Sequence, residues 1–247
     1  MADTILSFRP QKGLAINNWP SWGIGTIDHG YYTHPDFTAD WYSGHVVVTA
    51  TDGGKVTDLL PGFTKGTMAS HGVNFTTPWF DVKKSLKADY CHIKLAYEFT
   101  TSQLPAMQSF RLGHFTLLPE EWDINSLYYA ANAGGESLIT YPITESFSHD
   151  APVSPQVSAR HCIGTGNTLI IGDAHKRITI VTSGTLYAVP MIHFTRFTNG
   201  QWFCRVVYSI YERDETSIHC DRPDIAGKSI CFVLKGEDQG RGHENEG

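Results

Sequence analysis

Along residues 201–212 the apolar side chains Trp202, Cys204, Val206, Tyr208 and Ile210 recur at every second position, the period of a strand that turns one face to a core. Arg205, Ser209 and Glu212 do not hold consistently to the opposite face, and Glu212 ends the run on the apolar parity. A carboxylate in that register is expected at the rim of the core or pointing into a cavity. Other alternating or β-branched runs lie at 45–51, 90–99, 107–118, 169–171, 177–181, 186–194 and 228–234. Between them Gly53-Gly54, Pro61-Gly62, Gly134-Gly135, Gly164-Thr165-Gly166, Ser183-Gly184 and Asn199-Gly200 read as turns, and Asn199-Gly200 is the strongest hairpin signal. Helical turns are expected only at 81–87 and 119–127, both too short to change the class. The pattern predicts an all-β chain, a large antiparallel β-sandwich with few short helices. Strand patterns resume on both sides of 146–158, so that stretch predicts a long loop inside a single domain spanning 1–235. The Gly- and Glu-rich residues 236–247 predict a disordered tail.

Composition narrows the partners. The chain has 247 residues, is 41% hydrophobic and carries a formal charge of −6, which suffices for a sizeable core and offers no basic field for phosphate backbones. Lys83, Lys84 and Lys87 form one short, isolated basic spot, so nucleic acid is not an expected partner. No segment approaches the roughly 20 apolar residues that span a bilayer, and Met1-Ala2-Asp3 leads to Phe8-Arg9-Pro10 without a signal-type apolar region. A cytoplasmic protein without membrane contact is expected. Five cysteines, widely spaced and with no Cys-x-x-Cys pair, argue for reduced thiols rather than a disulfide framework or a zinc ribbon. The sequon Asn74-Phe75-Thr76 is too common by chance to alter that.

The densest chemistry lies in Asp28-His29-Gly30-Tyr31-Tyr32-Thr33-His34-Pro35-Asp36 and its continuation Asp40-Trp41-Tyr42-Ser43-Gly44-His45. Carboxylates and imidazoles supply hydrogen bonds and proton transfer, and aromatic rings supply flat apolar faces. A sugar ring presents both hydroxyls and a C–H face to meet them. The stretch reads either as a carbohydrate site, with Trp41 as stacking platform, or as a polar loop whose groups satisfy one another. His29, His34, His45, Asp28, Asp36 and Asp40 lack helical or single-strand ligand spacing, so no metal and no cofactor is expected. Asp173-Ala174-His175 puts an acid and an imidazole at a turn. Gly23-Ile24-Gly25 and Gly164-Thr165-Gly166 are too short for a dinucleotide fingerprint, and no Gly-x-Ser-x-Gly elbow supports a serine nucleophile.

Several segments together are similar to the galactose mutarotase-like superfamily, the large β-supersandwich of aldose epimerases and of C-terminal domains of glycoside hydrolases and polysaccharide lyases. They are Ile27-Asp28-His29-Gly30, Ser70-His71-Gly72 with Trp79, Arg111-Leu112-Gly113, Leu127-Tyr128-Tyr129 leading to Asn132-Ala133-Gly134-Gly135-Glu136, Ile171-Gly172-Asp173, and Tyr208-Ser209-Ile210-Tyr211-Glu212. The resemblance implies chemistry at an anomeric carbon, by epimerisation or glycoside cleavage. His71 is then the position most like the epimerase acid, and Glu212 or Glu136 the base, with Asp28 and His29 as further acid–base candidates. Trp41, Tyr42, Arg111, Tyr128 and Asp40 would line the sugar cleft. Cleavage would set two carboxylates among Asp28, Asp40, Glu136 and Glu212 roughly 5 to 10 Å apart. The alternative is a non-catalytic module that binds glycans or assembles with further copies through aromatic rings and strand edges.

Overall fold

The alternation along 201–212 is realised as a strand, Trp202–Glu212, and strands of this kind build two packed antiparallel sheets. In this computed structural model the residues described are 6–9, 13–27, 43–58, 65–69, 72–143, 163–197, 199–213 and 222–240. In chain order the strands are β1 (Leu6–Arg9), β2 (Gly13–Ile16), β3 (Asn18–Trp19), β4 (Ile24–Gly25), β5 (His45–Ala50), β6 (Lys55–Thr57), β7 (Lys65–Ala69), β8 (Gly72–Thr76) and β9 (Phe80–Ala88). They continue as β10 (His92–Ser102), β11 (Met107–Leu117), β12 (Tyr128–Asn132), β13 (Leu138–Pro142), β14 (Thr165–Gly172), β15 (Lys176–Gly184), β16 (Val189–Arg196), β17 (Trp202–Glu212) and β18 (Ser229–Asp238). The nine-stranded sheet runs β13-β12-β14-β15-β18-β10-β9-β8-β7. The seven-stranded sheet runs β16-β17-β11, after which one half of β11 pairs with β4, itself paired with β3, and the other half with β5, itself paired with β6. β1 and β2 form a separate ribbon.

Inward positions alternate as half-buried strands require: Ile93, Leu95, Tyr97 and Phe99 on β10, Ile230, Phe232 and Leu234 on β18, and Cys204, Val206 and Tyr208 on β17 are all buried in one core. Aromatic rings stitch the two sheets together. Phe110 lies 5.7 Å from Phe80 and 5.6 Å from Phe99, while Phe232 lies 5.6 Å from Phe115 and 4.8 Å from Tyr208. Asn199-Gly200 turns β16 into β17 as expected, with Gly200 at φ +86°.

Four expectations change. Residues 81–87 are not a helical turn but the body of β9, where Phe80 and Val82 face the core and Lys84 follows on the same parity. Of 119–127 only Pro119–Glu121 is helical, as one 3-10 turn. Thr165 and Gly166 belong to β14 rather than to a turn, and β18 carries ordered strand past Gly236 to Asp238. The long loop expected at 146–158 lies outside the described residues, as do Cys162 and Cys220. Cys91, Cys204 and Cys231 are free thiols. No helix of the described residues is long and apolar enough to cross a membrane.

Candidate functional site

Two β-bulges decide what stands on the outer face of the seven-stranded sheet. β11 and β17 pair Leu112 with Tyr208 and Arg111 with Ser209, but the next pair is Phe110 with Tyr211, which leaves Ile210 unmatched. One extra residue reverses the parity of everything after it. Glu212, expected on the apolar face with Tyr208, therefore stands opposite Ser109 on the face that carries Arg111. Arg111 Nε donates to Glu212 Oε1 at 2.6 Å and Nη2 donates to Oε2 at 3.1 Å, a two-point guanidinium–carboxylate fork. The two side chains keep 16% and 12% of their exposure, so the pair is mostly buried but still reached by solvent.

In the second bulge Gly113 and His114 together stand opposite Val207. Both have positive φ, +81° and +47°, and His114 is the one non-glycine residue with positive φ among the described residues. Holding a β-carbon in that region costs about 1 kcal/mol or more, and such outliers cluster where a side chain is being aimed. His114 Nδ1 lies 3.1 Å from the carbonyl oxygen of His45. A carbonyl only accepts, so Nδ1 carries the proton and Nε2 presents a lone pair. Burial pushes the His114 pKa well below its usual range, and the charges of Arg205, His45 and Arg111 act in the same sense. The ring is a neutral acceptor at neutral pH.

Arg205, opposite Thr116 in the ladder, donates from Nε to Thr116 Oγ1 at 3.0 Å. Met191, Val207, Ser209, Thr116 and Arg205 on this face are buried, and Arg111 and Glu212 are where solvent reaches it.

Behind His114 a buried polar chain runs toward the core. The His45 ring lies 6.4 Å from that of His114, and its Nδ1 is 3.5 Å from Asp58 Oδ1. Asp58 accepts the Val46 N–H at 3.0 Å and Lys84 Nζ at 2.7 Å, and Lys84 donates also to the Leu14 carbonyl. Lys84 thus occupies an apolar position of β9 because a carboxylate 26 residues away neutralises it, with the Tyr97 and Phe75 rings 5.8 and 6.0 Å from Nζ. Burial would raise the Asp58 pKa, but the charge of Lys84 and the contact with His45 outweigh it and hold it at about 2. Burial lowers Lys84 against the opposing pull of Asp58. Burial also lowers His45 to about 4, opposed by Asp58 and reinforced by Lys84 and Arg205.

The face therefore offers a carboxylate, an imidazole lone pair and two guanidinium groups. Carboxylate and lone pair accept hydrogen bonds and guanidinium donates them, the mixture that vicinal hydroxyls need. Of the residues named from the sequence, Arg111 and Glu212 are brought together here. Glu136 and Tyr128 are on the other sheet. Glu136 is exposed in the β12–β13 turn, whose backbone Asn132 Nδ2 holds through the carbonyls of Gly135 and Glu136. The Tyr128 hydroxyl accepts from Gln239 Nε2, and its ring covers Gly172. Asp173 is buried, accepting the His175 and Lys176 N–H groups on Oδ1 and that of Asp123 on Oδ2, which makes it the organiser of a turn. Asp28, His29, Asp40, Trp41, Tyr42 and His71 lie outside the described residues. His114, Arg205, Asp58 and Lys84 were not singled out as site residues by the sequence. The one signal for them was Gly-His inside an otherwise apolar strand.

No family model matches the chain, and no curated protein matches it. Among solved structures, a protein provisionally assigned as an aldose 1-epimerase from Escherichia coli K12 is similar at a TM-score of 0.39 and 13% identity, over 77% of this chain and 79% of that one. The GH36 α-galactosidase AgaA of Geobacillus stearothermophilus is similar at a TM-score of 0.40 and 11% identity, over 95% of this chain and 39% of the galactosidase. At these values the likeness transfers no role and no site residue.

Proposed function

We propose that the chain is a carbohydrate-active protein that holds a sugar ring against the outer face of the seven-stranded sheet and acts at its anomeric hydroxyl in epimerase fashion. The observation that carries this reading is the convergence of the Arg111–Glu212 fork, Arg205 and the neutral, strained His114 on one sheet face. Glu212 accepts from sugar hydroxyls and the guanidinium groups donate to them. His114 Nε2 accepts a hydrogen bond from the anomeric hydroxyl while Glu212 takes its proton, the bond from C1 to the ring oxygen breaks, and the ring oxygen takes up a proton. Closure on the other face of the aldehyde reverses the anomeric configuration. His71 is the candidate for the proton donor, with Asp28 and His29 as further acid–base candidates, and Trp41, Tyr42 and Asp40 for sugar contacts, all on the strength of the sequence resemblance. Glycoside cleavage would need a second carboxylate facing Glu212 at roughly 5 to 10 Å. Asp58 does not fit that role, because Lys84 and the Val46 N–H already hold it.

A second reading, binding without turnover, is favoured by the Arg111 fork itself, since both Glu212 oxygens already accept from the guanidinium. Anomeric exchange decides between the two. The protein is incubated with a panel of free aldoses and the α/β interconversion followed by NMR. Acceleration over buffer that is lost in His114→Gln supports the epimerase reading, and sugar resonances that broaden without exchange support the binding reading.

A further inference from the structure

The geometry points to a metal site at the tip of the β9–β10 hairpin, formed by Asp89, Cys91 and His92 and suited to a divalent cation of the zinc class. It lies apart from the sugar face and does not depend on it. Thiol, imidazole and carboxylate atoms of the three residues all lie within 4.8 Å of one another. Cys91 Sγ is 3.1 Å from His92 Nδ1, and that nitrogen is 3.4 Å from Asp89 Oδ1. Ligands bound to a tetrahedral zinc ion at its usual bond lengths sit about 3.4 to 3.6 Å apart. The carboxylate and imidazole already have that separation, and the thiol needs to move by only a few tenths of an ångström.

The tip is held in place from several sides. Asp89 N–H donates to the His92 carbonyl at 2.8 Å and Gly236 N–H to the Cys91 carbonyl at 2.9 Å. The indole N–H groups of Trp19 and Trp22 both donate to the Tyr90 carbonyl, at 3.1 and 2.8 Å. Asp89 Oδ1 accepts the His92 and Cys91 N–H groups, bonds that hold its carboxyl below the usual range and fix the oxygen that faces the imidazole. A thiolate with an imidazole selects a borderline or soft cation over magnesium or calcium. The His92 and Asp89 side chains are 45% and 66% exposed, so the ion can enter and a fourth position faces solvent for water or an outside donor. Binding releases the Cys91 thiol proton to solvent, with His92 bound as neutral imidazole, so affinity rises with pH.

Cobalt(II) is the probe. Added to the full chain, it is expected to give thiolate-to-cobalt charge-transfer absorption and the intense visible bands of a four-coordinate ion, saturating at one ion per chain and displaced by zinc(II). Cys91→Ser should abolish the charge-transfer absorption, and Cys231→Ser should keep it. His92→Ala should weaken the affinity by about tenfold or more. The expected pattern requires that Cys91→Ser unfold at the same denaturant concentration as the parent protein. If it does not, alkylation of Cys91 after folding replaces the variant, with the same loss expected. No charge-transfer absorption at stoichiometric cobalt, or absorption that survives loss of the Cys91 thiol, overturns the site.

Discussion

Arg111 and Glu212, 101 positions apart in the chain, are joined by two hydrogen bonds because one residue, Ile210, bulges out of β17. Without that bulge the carboxylate would point into the packed core beside Tyr208, where an unpaired charge costs several kcal/mol. With it, the charge leaves the core and meets a guanidinium that the same sheet face presents.

Arg111→Met, which leaves Glu212 mostly buried without its partner, should destabilise the protein by about 2 to 3 kcal/mol. The double variant Arg111→Met/Glu212→Gln should lose less than the sum of the single losses, with a coupling of about 1 to 3 kcal/mol. Urea denaturation of the four proteins reads this, and strict additivity would mean that the fork contributes nothing.

Stability should fall as pH drops from about 6.5 toward about 4. His45, packed against Asp58, Lys84 and Arg205, has its pKa lowered from 6.5 to about 4 by burial. Between those values the unfolded chain binds a proton that the folded chain does not, so the loss begins below the unfolded value and is complete near the folded one. It reaches roughly 3 kcal/mol. His114 adds to it in the same sense. Asp58 acts lower, since its contribution is whole above 3.8 and is lost as pH falls toward about 2. Denaturation midpoints at about pH 7.5 and about pH 5 should differ less in His45→Gln than in the parent protein.

His114→Gly should be more stable than His114→Ala by about 1 kcal/mol, because the position sits at φ +47° and only glycine occupies that region without strain. Both variants lose the Nδ1 hydrogen bond, so thermal unfolding of the pair isolates the backbone cost. Equal stabilities would mean that the histidine is not strained.

Gly236→Ala should cost about 1 to 3 kcal/mol, because a β-carbon there would stand 2.1 Å from the Trp22 ring. Gly135→Ala, with nothing within 4 Å of the added atom, should be neutral to about 0.5 kcal/mol. Thermal unfolding of the two variants tests whether the last residues of β18 are packed strand.

The sheets were legible wherever strands alternate cleanly, as in β10 and β17. β9 was not, because Lys84 interrupts its apolar face, and a lysine in a core reads as a break unless its distant partner Asp58 is known. Arg111 and Glu212 were each identifiable as polar residues in apolar strands, but their pairing was not. A bulge adds a residue without changing composition, so period-two counting put Glu212 on the wrong face. His114 escaped notice for a related reason: its direction follows from a left-handed backbone and its neutrality from burial and from Arg205 on the neighbouring strand, and none of these is local sequence information.

Equilibrium binding of methyl glycosides tests the sugar face most directly, because their locked anomeric carbon separates recognition from turnover. Ligand-observed NMR across a panel of methyl hexosides should show binding to the parent protein that weakens by about tenfold or more in both Arg111→Met and Glu212→Gln, the loss expected for a charge-assisted hydrogen bond. Binding that persists unchanged in both folded variants, or no binding to any member of the panel, would contradict the assignment of this face to carbohydrate.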